Sequence, residues 1–178
     1  MLASCTIRPA APADMPAITD IYALEVREKT ATFELTPPDR AEMTRRFAEM
    51  TARGFPYLVA EHKGAIAGYA YATSYRARAA YRYTVENSIY LAPEYHRQGL
   101  GRALLAELIA QSAARGFCQM IAVIGDSANV ASIQLHARAG FVMIGTHPKV
   151  GYKFGRWLDS VLMQRDLCGS TPSGPPDF

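Results

Sequence analysis

The chain has 178 residues, of which 49% are hydrophobic and 20% are charged, and its net charge is +3. This balance is typical of one globular domain, which we predict over residues 1–167, followed by a tail rich in Gly, Pro and Ser over residues 168–178. The mild charge argues against a nucleic-acid-binding protein, the absence of a run of about 18 apolar residues argues against a membrane span, and the first ten residues do not form a secretory signal.

The first half of the chain alternates short strands with two helices. We predict a strand over residues 6–10 and then a helix from about Asp14 whose apolar residues share one side. A second helix is expected to begin at "TPPD", where Thr36 is a candidate cap and Pro37 suits the first turn. Two strands then meet at a Lys63-Gly64 turn, which indicates a hairpin.

The second half has a regular strand–helix–strand–helix–strand order. The β-branched and aromatic segment "YTVENSIYLA" predicts a strand, and a helix follows from Gly101 to Gly116. The apolar segment "QMIAVI" is typical of a strand buried on both faces. Ser127 or Asp126 can cap the next helix, which Gly140 closes, and "FVMIGTH" and "SVLMQRDL" predict two more strands. This order predicts an α/β or α+β sheet with helices on both faces.

Three cysteines, Cys5, Cys118 and Cys168, lie far apart in the sequence. Their odd number and their spacing match neither a metal site nor a disulfide framework. A reducing compartment is the simplest interpretation, so we expect a cytoplasmic protein that binds no metal.

The segment "EYHRQGLGRALL" places two glycines between a predicted strand and a predicted helix. Unpaired N–H groups and a partial positive charge make a helix N-terminus a good site for phosphate, and glycine lets an anion approach the backbone closely. His96, Arg97 and Arg102 add positive charge around Gly99 and Gly101. The segment is therefore a candidate anion-binding loop, with a plain strand–helix turn as the alternative.

Two common phosphate-binding motifs do not fit this loop. A Walker loop requires Lys and then Ser or Thr after its last glycine, where Arg102 and Ala103 stand, and a dinucleotide fingerprint requires a third glycine where Leu104 stands. The spacing from His96 to Gly101 resembles the acetyl-CoA pyrophosphate loop of the GNAT superfamily of N-acetyltransferases. The first residue departs from the usual Gln or Arg of that family.

The resemblance extends from about Ile7 to Leu167. The segment "NVASIQLHARAGF" is similar to the later coenzyme-binding segment of the superfamily. The segments "TATFELTPP", "YRARAAYRYTVENSIYL" and "VGYKFGRWLD" resemble the phosphinothricin and methionine sulfoximine acetyltransferase branch. This resemblance implies a mixed, mostly antiparallel central sheet of about six to seven strands with helices on both faces, acetyl-CoA as co-substrate, and a homodimer.

Glu86 is the candidate general base. An amine attacks a thioester only as the free base, so a group that accepts its proton is needed. Strand alternation places Glu86, Ser88 and Tyr90 on one face, and a carboxylate in a largely apolar strand is unusual. A surface or ion-paired Glu is the alternative, and the resemblance favours the catalytic role because the family's base falls at this position.

The resemblance also implies how the coenzyme is held. Main-chain groups of Ile89, Tyr90 and Leu91 would bind the pantetheine arm and the thioester oxygen. His136 is a candidate acid for the leaving thiolate, a coenzyme contact, or a packing residue. Asn129 would bind the coenzyme arm and can also cap its helix. The full set of expected coenzyme-binding residues is Ile89, Tyr90, Leu91, Arg97, Gln98, Gly99, Leu100, Gly101, Arg102, Asn129 and Ser132.

The acceptor would be a small amino acid or analogue such as phosphinothricin, methionine sulfoximine or methionine sulfone. Arginines suit carboxylate and phosphinate oxygens, although charges that alternate with alanine also fit a solvated face. By resemblance, the candidates are Phe33, Glu34, Arg76, Arg78 and Tyr81. No Cys or Ser lies in a nucleophile motif, so direct attack is expected. The alternatives are an acetyltransferase for protein N-termini or polyamines, and a non-catalytic CoA-binding module.

Overall fold

A seven-stranded sheet organises the protein. The computed structural model describes residues 5–169, in which the strands follow the order β1-β2-β3-β4-β5-β7-β6 across the sheet. All neighbours are antiparallel except β4 and β5. The predicted mixed, mostly antiparallel sheet is thereby confirmed. The strands are β1 (Cys5–Pro9), β2 (Tyr57–His62), β3 (Ala65–Ser74), β4 (Thr84–Leu91), β5 (Gln119–Gly125), β6 (Val142–Lys153) and β7 (Arg156–Asp166).

Helices cover both faces of this sheet. One face packs against α1 (Met15–Glu28) and α2 (Arg40–Ala52), and the other against α3 (Leu100–Ala114) and α4 (Val130–Arg138). Within residues 5–169 no helix has the length and apolar character needed to cross a membrane.

The central helix α3 carries its leucines into the larger core cluster. Leu104, Leu105 and Leu108 are fully buried, and they belong to the same cluster as Leu58 and Met120 of the sheet. Each such side chain contributes about 1.5–3 kcal/mol on burial. This packing anchors α3, and therefore the loop that precedes it, to the middle of the sheet.

The start of α2 differs from the prediction at Thr36. The helix begins at Arg40, and the cap is Asp39, whose carboxylate accepts a hydrogen bond from the Glu42 amide at 2.8 Å. A residue that precedes proline avoids the helical region. Thr36 and Pro37 each precede a proline, which disfavours helical backbone angles at both residues. The helix therefore begins after the second proline, Pro38.

The cap of α4 is Asn129, and not Ser127 or Asp126. The side-chain oxygen of Asn129 accepts a hydrogen bond from the Ser132 amide at 3.2 Å. Asp126 has a φ of +72°, which does not suit a residue entering a helix, and its carboxylate binds the Ala128 amide at 3.0 Å instead.

The expectation that the cysteines form no disulfide was wrong. Cys118 and Cys168 are bonded, with their Cα atoms 4.9 Å apart. The antiparallel pairing of β5 with β7 aligns Gln119 with Asp166 and so brings together two cysteines that are 50 positions apart. This pairing removes the basis on which a reducing compartment was inferred. Residues 170–178 of the predicted tail lie outside the described residues.

Candidate active site

The two central parallel strands separate and open a cleft. Pairing of β4 with β5 runs from Thr84 opposite Gln119 to Asn87 opposite Ala122 and ends there, although β4 continues to Leu91 and β5 to Gly125. Beyond that point β4 is paired only on its β3 side among the described strands, so main-chain groups face the cleft. The cleft is lined by Ala31, by residues 87–90 of β4, by residues 122–125 of β5, and by Asn129, Ser132 and His136 of α4.

The predicted main-chain donors therefore lie where the strands part. Ile89 and Tyr90 line the cleft, and Leu91 is the last residue of β4. A backbone N–H without a strand partner is available to bind an oxygen atom that gains negative charge. The side chain of Tyr90 is buried in the aromatic core below, and its N–H points toward β3 because the pairing of β3 with β4 is regular. Of these two residues, Ile89 is therefore the one that directs its N–H toward the cleft.

The glycine loop has the geometry of an anion-binding helix start. Gly99 is the residue before α3 and has a φ of +83°, a conformation that suits glycine. The first amide of α3 with an i−4 partner belongs to Ala103, which donates to the Gly99 carbonyl at 3.1 Å. The amides of residues 100–102 thus form the unpaired helix N-terminus, as a diphosphate site requires.

The side chains of this loop divide into two groups. His96 contacts the Leu91 carbonyl at 3.1 Å, and Gln98 donates to the Glu94 carbonyl at 2.8 Å, so both stabilise the loop itself. Arg97 and Arg102 are exposed at the same end of α3. The loop therefore offers main-chain amides with two guanidinium groups beside them, which fits a diphosphate.

Gly101 is buried in the first turn of α3, between β4 and α4. A Cβ atom at this position would lie 3.4 Å from the Leu91 side chain and 3.6 Å from the Leu135 side chain. Both are ordinary van der Waals distances, so an alanine would also fit at this position.

Glu86 lies on the face of β4 that is directed toward α1 and α2. It is half-buried, opposite Thr73 of β3, and it precedes Ser88, which lines the cleft. Burial raises the pKa of the Glu86 carboxyl above its ordinary value. A carboxylate whose pKa is raised toward neutrality is a better proton acceptor, which is the property that a general base needs.

His136 is held tightly inside the cleft wall. It is 2% exposed, its Nδ1 lies 2.8 Å from the Ser132 carbonyl oxygen, and its Nε2 lies 3.0 Å from Oδ1 of Asn87. Burial lowers the pKa of the ring, so the neutral form dominates at neutral pH. Both ring nitrogens thus face protein oxygens, and the single N–H of the neutral ring can donate to one of them at a time.

This burial predicts a stability change at mildly acidic pH. Because the pKa of His136 is lower in the folded protein, the unfolded chain binds the proton more readily below the ordinary value of 6.5. The contribution of the neutral His136 ring to the free energy of unfolding should be fully present above that pH and should decline as the pH falls toward the folded pKa. The raised pKa of Glu86 has the opposite effect, because the folded protein binds that proton more readily than the unfolded chain. Urea unfolding of His136→Asn between about pH 7 and 5 should show a smaller decline than the parent protein.

The exposed His147 supplies the matched control for that measurement. The variant His147→Asn removes an imidazole that protrudes into solvent and should keep the parental pH dependence. Equal slopes in both variants would show that His136 does not control stability in this window.

Asn87 is a site residue that sequence reasoning missed. Its Nδ2 donates to the Ile121 carbonyl at 3.1 Å and its Oδ1 accepts from His136, so one amide joins β4, β5 and α4 where the strands part. The signal in the sequence that could have found Asn87 is its polar side chain on the face of β4 that also carries Val85 and Ile89. The other residues of that face are apolar.

The predicted acceptor residues are not brought into one cluster. Arg76, Arg78 and Tyr81 lie in the exposed segment between β3 and β4, where the Arg76 guanidinium stacks 5.6 Å from the Tyr81 ring. Phe33 lies beside Gly125 at the end of the cleft. Glu34 is bound by Arg46 at 2.6 Å, which makes it a structural anchor. No described arginine lines the cleft itself.

The fold matches that of known acetyltransferases. A profile of the acetyltransferase (GNAT) family matches residues 18–141. The chain belongs to this family. The predicted acetyl-CoA-dependent N-acetyltransferase is thereby confirmed. Within residues 5–169 no group of three or more His, Cys, Asp and Glu side chains could hold a metal ion.

Individual GNAT proteins resemble this chain over most of its length. A phosphinothricin N-acetyltransferase of Alcaligenes faecalis is 54% identical over 92% of this chain and 83% of its own. An L-methionine sulfoximine/L-methionine sulfone acetyltransferase of Pseudomonas paraeruginosa is 42% identical over 92% of this chain and 95% of its own. A phosphinothricin acetyltransferase from Sinorhizobium meliloti, solved in complex with acetyl-CoA, is 48% identical, covers 98% of this chain and 94% of its own, and superposes with a TM-score of 0.94.

Proposed function

We propose that the protein transfers the acetyl group of acetyl-CoA to the α-amino group of a small amino acid or analogue. Phosphinothricin, methionine sulfoximine and methionine sulfone are the candidate acceptors. The observation that carries this proposal is the likeness, over 92% of the chain, to relatives named for these activities. One domain, residues 1–167, would contain the whole site.

Glu86 is proposed to act as the general base. It would take a proton from the acceptor ammonium, directly or through water, and the amine nitrogen would then form a bond to the thioester carbon as the carbon–sulfur bond breaks. The nitrogen would lose its second proton to solvent as the amide forms. The main-chain N–H of Ile89, which is directed away from β3 and toward the cleft, would stabilise the carbonyl oxygen as it gains charge. The burial that raises the pKa of Glu86 supports this assignment.

Coenzyme binding is proposed to rely on the N-terminus of α3. The amides of residues 100–102, with Arg97 and Arg102 beside them, would hold the diphosphate, and Asn129 and Ser132 on α4 would contact the coenzyme arm. Both of these α4 side chains line the cleft.

His136 is proposed to position the site and not to donate a proton to the thiolate. Its ring nitrogens already face Ser132 and Asn87, and its lowered pKa leaves no proton to spare at neutral pH. An acid role would require the ring to leave both contacts. The conjugate acid of the leaving thiolate has an ordinary pKa of about 8.5, so the sulfur can depart as the anion and then take its proton from solvent.

The exposed arginines are proposed to recognise the acid group of the acceptor. Arg76 and Arg78 lie in the segment before β4, ten and eight residues ahead of Glu86. Their planar guanidinium groups suit carboxylate and phosphinate oxygens. Polyamines carry no such group and would require acidic side chains, so this pattern disfavours them.

A thiol-release screen tests the proposed function. Purified protein with acetyl-CoA is offered the three candidate acceptors, the common amino acids, a polyamine and a short peptide with a free N-terminus. Free thiol and an N-acetylated product should appear with one or more amino acid analogues. Binding of coenzyme A without thiol release from any compound would instead indicate a non-catalytic CoA-binding module.

The protein is also proposed to form a homodimer through the sheet edge at β6. Strand β6 is the last strand of the sheet. Apolar side chains that are 51–62% exposed lie on β6, in the turn that follows it and at the start of β7. Exposed apolar groups in such a cluster are typical of an interface. They are Val142, Met143, Ile144, Val150, Tyr152, Phe154 and Trp157.

Light scattering tests this interface. We expect a dimer mass for the parent protein and a monomer mass for Ile144→Lys, because a buried, unpaired ammonium opposes association. The control is Leu35→Lys, at an exposed leucine outside the edge, which should remain dimeric. A dimer that persists in Ile144→Lys, or a parent protein that is already monomeric, would exclude this edge as the interface.

We place the enzyme in the cytoplasm, because acetyl-CoA is an intracellular metabolite, and propose no nucleic-acid or membrane partner. The net charge of +3 supports the absence of a nucleic-acid partner. The Cys118–Cys168 bond would then be exposed to cellular reductants.

A further inference from the structure

Lys153 is a buried lysine that the proposed reaction does not use. It stands at the end of β6, is 3% exposed, and donates from Nζ to the carbonyl oxygens of Lys29 at 2.7 Å and Thr32 at 2.8 Å. Burial of an ammonium is costly unless hydrogen bonds compensate for it. Here the compensation comes from two main-chain oxygens of one segment, residues 29–34, which connects α1 to the start of α2.

The same segment is held on its other side by helix side chains. The Tyr22 hydroxyl lies 2.9 Å from the Thr32 hydroxyl and donates to Glu34 at 3.0 Å, and Arg46 donates to Glu34 at 2.6 Å. Lys153 is the contact from the sheet edge, whereas Tyr22 and Arg46 are contacts from α1 and α2. The segment is therefore anchored from both sides, and Phe33 lies between the anchors.

The ring of Phe33 occupies a seat made by two glycines. A Cβ atom on Gly151 of β6 would lie 2.3 Å from this ring, and one on Gly125 of β5 would lie 2.9 Å from the ring and 2.1 Å from the Thr30 carbonyl. No other residue type fits at either position without moving the ring or the segment. Gly125 also lines the cleft, as does Ala31 of the segment, so the seat lies at the end of the cleft.

We infer that Lys153 is a positioning residue that holds residues 29–34 so that Phe33 forms one wall of the acceptor pocket. Lys153 acts through its two main-chain contacts and touches no reacting atom. This inference rests on the proposed function, since it assumes that the acceptor enters this end of the cleft. The coenzyme loop at the start of α3 belongs to a different part of the molecule, so we expect a larger effect on the acceptor than on the coenzyme.

Steady-state kinetics of Lys153→Met test the inference. Methionine keeps the length of the side chain and removes the donor. We expect the KM for the acceptor to rise at least tenfold, while the KM for acetyl-CoA and kcat change less than threefold. Hydrogen exchange at the amides of residues 29–34 should accelerate at least tenfold. If Lys153 only stabilised the fold, activity and thermal stability would fall in Lys153→Met, but the KM for the acceptor and the KM for acetyl-CoA would change by similar factors.

Two further variants make the result interpretable. Gly151→Ala displaces the Phe33 ring without touching Lys153 and should raise the acceptor KM in the same way, which provides the test if Lys153→Met does not fold. Lys63→Met removes an exposed lysine from the turn between β2 and β3, away from this segment and from the β6 edge, and should match the parent protein.

Failure of the Lys153 inference and failure of the proposed function give different experimental results. Unchanged acceptor KM and unchanged exchange at residues 29–34 in Lys153→Met would overturn the inference. A parent protein that releases no thiol with any amino acid analogue would contradict the proposed function; the exchange measurement requires no substrate and still decides whether Lys153 holds the segment.

Discussion

Replacement of Glu86 by Gln should abolish most turnover and leave coenzyme binding intact. The amide has nearly the shape of the carboxylate but cannot accept the proton of the acceptor ammonium, and a positioned base is worth about 10²–10⁴-fold in rate. We therefore expect kcat to fall by about that factor, while calorimetry gives a Kd for acetyl-CoA within about threefold of the parental value.

The pH dependence of the activity provides a second measurement of the role of Glu86. In the parent protein, activity should decline as the pH falls through the raised pKa of Glu86, because the protonated form accepts no proton. In Glu86→Gln that decline should be replaced by a rate that increases steadily with pH, as free amine forms in solution. The exposed Glu49 gives the charge control, and Glu49→Gln should keep parental kinetics. Full activity in Glu86→Gln would remove this residue from the mechanism.

Replacement of Gly99 by Val should weaken coenzyme binding about 10–100-fold. A residue with a side chain pays roughly 1–2 kcal/mol at a left-handed φ, and a β-branched one more, while 1.4 kcal/mol corresponds to a tenfold change in affinity. Gly99 has a φ of +83° at the start of α3. The loop is expected to relax away from this conformation, so the amides of residues 100–102 no longer converge on the diphosphate.

Gly54 is the matched control for this substitution. It has a φ of +79° at the end of α2 and, like Gly99, has no atom within 4 Å of the position that a Cβ would take. Gly54→Val should impose a similar backbone strain far from the coenzyme loop. Its Kd for coenzyme A should be parental, with a comparable loss in urea stability. Unchanged affinity in a folded Gly99→Val would exclude the loop as the coenzyme site.

Local sequence signals were sufficient for the elements that carry the chemistry. The period-2 pattern of "TVENSIYL" correctly placed Val85 and Glu86 on opposite faces of β4, because side-chain direction in a strand follows from position alone. The glycines at 99 and 101 correctly marked the strand-to-helix junction. Helix starts were predicted less well, since the cap depends on which of several polar residues has the right backbone angles, as Asp39 and Asn129 show.

The chain by itself determined the order of its strands and helices, the faces of β4 and the backbone freedom of the glycine loop, because each depends on neighbours a few residues away. Only the tertiary structure decided which distant groups meet: the parting of β4 from β5 at Asn87, the Cys118–Cys168 bond, and the contacts of Lys153 with a segment more than 120 positions earlier. Such contacts depend on strand order and on the register across the sheet, and these result from packing of the whole core and not from any local pattern.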